Sequence, residues 1–167
     1  DRLATLLEGR KRFADAREVL DRSPQVTAGQ RGRRVQNALR AGDLPRAMDE
    51  LDRVIHADPA NANSRVLMAR LVYAETRDAE RAFKYLDEAD ALVPHTLAAA
   101  GTRVAILKAQ GRLAEALAVL ADFRRSGDPV SATLLHAEFL AAIGKTDQAE
   151  REYRRLVEIA ADGRGYE

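Results

Sequence analysis

The sequence predicts an all-α solenoid, a stack of antiparallel helix pairs comprising nine or ten helices in about four and a half repeats across 167 residues. Three observations carry this. Apolar residues recur at three- and four-residue spacings, as in Leu44, Ala47, Leu51, Val54 and Ile55, while alternating strand patterns rich in Val, Ile and Thr are absent. Alanine is abundant, with 32 residues against 4 Phe, 4 Tyr and no Trp, which favours helices whose backbones approach closely. A small residue also recurs at Ala16, Ala47, Ala82, Ala116 and Ala149, at spacings of 31, 35, 34 and 33, with connector prolines Pro24, Pro59, Pro94 and Pro129 each 35 apart. Self-similarity at this period is the signature of stacked helical hairpins.

The helices follow in order. Residues 1–22 read as an amphipathic pair broken near Gly9 to Lys11, with Leu3 and Leu7 on the first helix and Phe13, Ala16 and Leu20 on the second. The first is short, so the reading expects a natural chain that continues upstream of Asp1. Ser23-Pro24 stops the second helix, because proline donates no hydrogen bond and excludes α geometry before it. Residues 27–41 form a helix weakened by Gly29 and Gly32, each by about 1 kcal/mol relative to Ala. Asp43 is placed as the N-cap of the helix from Leu44 to Ala57.

Asp58-Pro59 is read as a stop and restart, with Asp58 capping and Pro59 suited to the first helical position. Residues 60–76 then carry Val66, Leu67, Leu71 and Val72. Asp78 caps a helix burying Ala82, Phe83, Leu86 and Ala89, and Thr96 caps the helix running to Gln110. Residues 111–123 repeat the turn and stripe of 42–54, Ser126 to Pro129 connects, and a last pair spans 130–143 and 146 to about 161. One solenoid domain results, with units of about 1–26, 27–59, 60–95, 96–129 and 130–162 and a frayed tail at 163–167.

The repeat resembles the tetratricopeptide repeat (TPR) family over essentially the whole chain. The matching residues are the small or apolar positions of the first helices (Leu3 and Ala4, Val35, Met68 and Ala69, Val104, Ala137). A larger residue follows one turn later (Leu7, Val72, Leu107, Leu140, with only Ala38 in the second unit). The turn glycines Gly42, Gly111 and Gly144 and the terminal prolines Pro24, Pro59 and Pro94 complete the pattern. The family's first-helix tryptophan is missing, Arg34 and Arg103 stand where Leu is usual, and one unit carries Thr76 and an extra residue where the turn glycine belongs. The resemblance implies a right-handed superhelix whose first helices line a concave groove.

Composition excludes several chemistries. Without cysteine there is no disulfide, thiol nucleophile or thiolate metal site. No run approaches the roughly 20 apolar residues of a membrane-spanning helix, so no membrane insertion is expected from this stretch. His56, His95 and His136 lie on different repeats without a second ligand at metal spacing, and read as surface or turn residues. No phosphate loop, nucleophile elbow or HExxH occurs. Asp49, Glu50 and Asp52 read as solvating charges on an exposed helix. The expectation is therefore a non-enzymatic chain with no cofactor and no metal.

Function then falls to the groove. Projecting the repeat onto the first helices places Arg33, Gln36 and Arg40, then Asn63, Val66, Arg70 and Tyr73, then Ala98, Gly101, Ala105 and Lys108, then Leu134 and Glu138 along it. Of these, Arg33, Gln36, Arg40, Asn63, Arg70, Tyr73 and Lys108 are the expected partner-binding residues, suited to a protein or peptide partner of acidic character. The solenoid ends offer a surface for self-association. Family members that clamp chaperone tails use Lys, Asn and Arg where this chain has Gly32, Gln36, Leu67, Ala98 and Thr102, so that role is not expected.

The leading reading is a protein-binding or assembly scaffold. Net charge is only +1, although residues 1–40 carry ten Lys/Arg against five Asp/Glu. The use of 23 Arg against 4 Lys resembles a bacterial protein of a GC-rich genome, in the cytoplasm or the periplasm and cell envelope. Secretion or polysaccharide-export assemblies of the envelope are one setting such proteins occupy. Two alternatives stand beside it. Residues 106–127 resemble a pentatricopeptide unit, which would make the chain an RNA binder; the other is the interaction stem of a larger enzyme.

Overall fold

A computed structural model describes residues 2–22 and 27–161. Ten helices are present among them and no strand: α1 (Arg2–Gly9), α2 (Phe13–Asp21), α3 (Ala28–Arg40), α4 (Leu44–Ala57), α5 (Ala62–Thr76), α6 (Ala79–Leu92), α7 (Leu97–Ala109), α8 (Leu113–Ser126), α9 (Pro129–Ala142) and α10 (Thr146–Ala161). They fall into two compact units, Asp1–Leu92 and Val93–Glu167. The Ser23-Pro24 stop and the tail at 163–167 lie outside the described residues.

In the first unit each helix packs on the next, from α1 through α6. The pivots Ala16, Ala47 and Ala82 are fully enclosed, and Leu20, Leu51 and Leu86 are buried one turn later. Ala4, Val35 and Ala69 are buried on the first helices, with Leu7, Ala38 and Val72 below them. An alanine at the pivot lets two helix backbones close, and the larger residue fills the gap toward the next hairpin. Leu3 and Leu6 are exposed, because no described helix covers that side of α1.

The second unit repeats the scheme. Helix α7 packs on α8, α8 on α9, α9 on α10, and α7 also touches α9. Gly101 lies at that contact, where an added Cβ would meet Leu135 Cδ1 at 3.6 Å, an ordinary packing distance. Ala116, Ala149 and Leu120 are buried as the repeat requires, but Tyr153 is exposed. Its face of α10, with Val157 at 69% exposure, has no described helix beyond it.

A conformational period underlies the sequence period. Lys11, Gly42, Arg77, Gly111 and Gly144 all have φ between 56° and 78°, and each stands five residues before a pivot alanine. The left-handed residue reverses the chain between the two helices of every hairpin, and glycine is its least strained occupant. The extra residue near Thr76 is absorbed by extending α5 and shortening the following turn to Arg77 and Asp78. Thr76 Oγ1 donates to the Val72 carbonyl at 2.8 Å and accepts from the Asp78 amide at 3.2 Å, which secures the tightened turn.

Helix starts follow the expected caps at Asp43, Asp78 and Thr96, with one correction at Asp58 and one cap, Asp128, in what the sequence reads only as a connector. Asp43, Asp78, Thr96 and Asp128 accept from the amides of Arg46, Arg81, Ala99 and Ser131. Burial pushes the Asp128 carboxyl up, but the hydrogen bonds from Ser131 come first and hold it below its ordinary value. Asp58 does not cap α5: it ends α4, and Asn61 takes the cap, its Oδ1 accepting from the Ser64 amide at 3.0 Å. Pro59 therefore lies in the connector, whereas Pro129 does occupy a first-turn position. The glycine-weakened α3 is compensated by a capping box, in which Thr27 and Gln30 each accept from the other's amide.

Candidate protein-interaction surface

The expected binding residues separate into four places in the structure. Arg33 on α3 is half-buried and already engaged: its Nη2 lies 2.9 Å from Glu8 Oε2 and 3.1 Å from Thr5 Oγ1. Asn37, at 1% exposure, donates to Glu8 Oε1 at 2.8 Å. Burial pushes the Glu8 carboxyl upward, but the bonds from Arg33 and Asn37 and the charges of Arg33 and Arg40 outweigh it and leave it below its ordinary value. Arg40 lies 5.3 Å from the centre of the Phe13 ring. This group fastens α1 and α2 to α3, so Arg33 and Asn37 serve the fold before any partner.

Asn63, Arg70 and Tyr73 share one face of α5, at spacings of seven and three. Asn63 and Arg70 are exposed; Tyr73 is half-buried with Arg77 over its ring at 5.5 Å. Val66, expected on the same face, is buried and contributes to the core instead. Lys108 is exposed on α7 in the second unit.

Gln36 leads to the feature that sequence reasoning missed. It stands on the wall of a solvent-open slot of about 350 Å3 between α3, α4 and the start of α5. Val35, Leu51, Val54, Ala57 and Leu67 give it an aliphatic floor, and Arg31, Gln36, Asp58, Asn61 and Ser64 give it a polar rim. Gly32 lies at its side, and an added Cβ there would meet nothing within 4 Å. The fold itself thus has no steric need of this helix-weakening glycine.

A second correction concerns Glu50. It is 1% exposed rather than solvated, with Oε1 3.0 Å from Arg53 Nη1 and 3.7 Å from Arg46 Nη2. Its other oxygen accepts no hydrogen bond among the described residues. A carboxylate so placed is costly and persists only because arginines surround it.

The histidines read as expected in part. His56 is exposed beside Asp52, and His95 sits in a turn at φ 56° with its Nδ1 2.8 Å from Ser126 Oγ. His136 instead joins α8, α9 and α10: Arg124 Nη2 lies 2.9 Å from its Nδ1 and 2.8 Å from Glu152 Oε2. Burial, then the Arg124 charge, lowers the His136 pKa against the opposing pull of Glu152. The same Nδ1 lies 3.2 Å from Glu152 Oε1, so the ring can accept from Arg124 when Nδ1 is bare or donate to Glu152 when Nδ1 is protonated. Among the described residues no cluster of metal-ligating side chains occurs.

Five left-handed hairpin turns in register with five buried pivots define the architecture. The fold is that of a tetratricopeptide-repeat solenoid. A thermophilic TPR protein of Thermus thermophilus superposes with a TM-score of 0.59 at 19% identity, covering 94% of this chain and 88% of that one. MamA from Desulfovibrio magneticus RS-1 gives 0.64 at 12% identity, covering 96% and 93%. The TPR-like repeats of a putative kinesin light chain from Podosopora anserina give 0.66 at 16%, covering 98% and 93%. No family model and no curated protein sequence matches the chain. Within this TPR-like fold the slot at α3, α4 and α5 is formed by two successive hairpins, so its shape depends on their stacking.

Proposed function

We propose that this chain is a protein-binding scaffold, and that in its first unit the slot between α3, α4 and α5 receives part of the partner. The slot is the observation that carries the reading: an aliphatic floor under a polar rim is the common form of a surface that anchors one side chain and orients its backbone. Gln36 belongs to that rim, while Arg40, Asn63, Arg70 and Tyr73 extend the contact along α3 and α5; Lys108 supplies a cation in the second unit. The TPR-like fold supports the scaffold reading, and the bias toward Arg over Lys supports a bacterial source. A cell-envelope assembly is the setting this reading carries forward.

Affinity capture from the native source tests it, with wild-type chain and a Gln36→Ala, Arg70→Glu double variant as baits, both sites being exposed. The proposal expects a partner retained by the wild type and depleted on the variant, with helical circular dichroism unchanged. Equal recovery on both baits would place binding elsewhere.

A further inference from the structure

Beside the slot lies a wider basin of about 700 Å3 whose lining has a different chemistry. Arg31 and Arg34 from α3 face Glu50, Arg53 and His56 from α4, with Ala57 at the edge. Arg31 and Ala57 also line the slot, so the two cavities meet there. Arg34 stands where an aliphatic residue would continue the apolar stripe, is buried, and donates from Nη2 to the Leu20 carbonyl at 2.5 Å, which holds its guanidinium against the end of α2. Three guanidiniums thus line the basin against the single carboxylate of Glu50, whose Oε1 fixes Arg53.

Resting on the scaffold reading, we propose that the first unit recognises a linear segment of its partner in which an acidic residue adjoins a large aliphatic one. The aliphatic side chain enters the slot beside Gly32, and the carboxylate enters the basin over Arg31 and Arg53. Guanidinium groups present paired donors that match a carboxylate; Arg31 is partly buried and Arg53 exposed, so the attraction is expected to weaken with salt. Arg31, common to both cavities, makes the adjacency of the two side chains a requirement. The lining argues against a nucleic acid strand: the slot that adjoins the basin offers no aromatic face on which a base could stack.

The test selects binders to the full chain from a random peptide library and measures their affinities by fluorescence anisotropy. The receptors are wild type, Gly32→Leu, Arg31→Glu, Arg53→Glu and Lys84→Glu, the last an exposed site on α6. Gly32→Leu places its Cβ where nothing lies within 4 Å and replaces a weak helix former, so a folded variant with a narrowed slot is expected, checked by circular dichroism. The expected result is enrichment of Asp or Glu next to Leu, Ile or Val. Gly32→Leu, Arg31→Glu and Arg53→Glu then each lose at least about tenfold in affinity, while Lys84→Glu stays within about twofold. Replacing the peptide's acidic residue by Ala must cost little further in Arg31→Glu.

Selected peptides without an acidic residue, or peptides indifferent to Arg31→Glu and Gly32→Leu, overturn the proposal and leave the scaffold reading standing. Salt-sensitive binding of mixed-sequence single-stranded RNA that Arg31→Glu abolishes overturns it in favour of a nucleic acid. A chain that retains neither peptide nor protein partner overturns both.

Discussion

Replacing Glu8 by Ala removes the acceptor on which α1 and α3 converge. Asn37 Nδ2, at 2.8 Å from Glu8 Oε1 and almost wholly buried, loses its partner. An orphaned buried donor costs about 1–3 kcal/mol, and loss of the partly exposed Arg33 ion pair adds up to about 1 kcal/mol. Urea unfolding followed by far-ultraviolet circular dichroism should therefore show a loss of about 2 kcal/mol near neutral pH. The pH dependence has a definite sign. The folded value of Glu8 lies below its unfolded one, so its contribution is complete above the ordinary carboxylate range and disappears as pH falls through the depressed folded value. The gap between wild type and variant should narrow as pH falls through that value, because protonation removes the charge-dependent part while the neutral carboxyl still accepts from Asn37. A variant as stable as wild type near neutrality, or a gap that persists undiminished in acid, would refute this account of the Glu8 junction.

Other substitutions probe different terms. Ala47→Leu and Ala116→Leu overpack two enclosed pivots and should each destabilise by about 1–3 kcal/mol; unchanged unfolding midpoints would mean that the pivots are not where hairpins close. Gly127→Ala would bring a Cβ to 2.5 Å from Phe123 Cε2 and 2.8 Å from the Phe123 carbonyl oxygen, so a similar loss is expected, and a neutral result in the same urea assay would contradict the contact. His136 has a depressed folded pKa, so its stabilisation is full above the ordinary imidazole value and is lost as pH falls toward the folded value. His136→Gln should flatten the decline in the second unit's stability below about pH 6.5; an identical decline in the variant would assign it to other groups.

Most of the architecture was legible because repetition multiplies weak signals. No single helix pair is diagnostic, but Ala16, Ala47, Ala82, Ala116 and Ala149 appear at the same place in each hairpin and all prove buried. The turns were partly hidden, since Lys11 and Arg77 adopt the left-handed geometry that glycine advertises elsewhere. Asp58 and Asn61 both have capping side chains three residues apart, and the choice between them depends on where the connector sets the next helix, which is a tertiary property.

The candidate site was harder to read. Periodicity assigns faces to one helix at a time, whereas the slot needs Val35, Leu51 and Leu67 from three helices. Glu50 has charged neighbours at 49 and 52 and so looked solvated, yet it turns inward among arginines. One signal was available: Arg34 interrupts the apolar stripe of α3, and the structure places it in the basin next to the slot. Arg33, judged by exposure alone, could not be told from a free donor because its acceptor Glu8 lies 25 residues earlier.

Hydrogen exchange of the full chain, alone and saturated with the captured partner, tests the central claim most directly. The slot is lined by Val35 and Gln36 of α3, Leu51 and Val54 of α4, the connector at Asp58 and Asn61, and Ser64 and Leu67 of α5, so an occupant there should slow local opening of these segments. The account predicts new protection across 31–36, 51–58 and 61–67, the segments that line the slot. Protection confined to other helices, with these three segments exchanging as in the free chain, would contradict it.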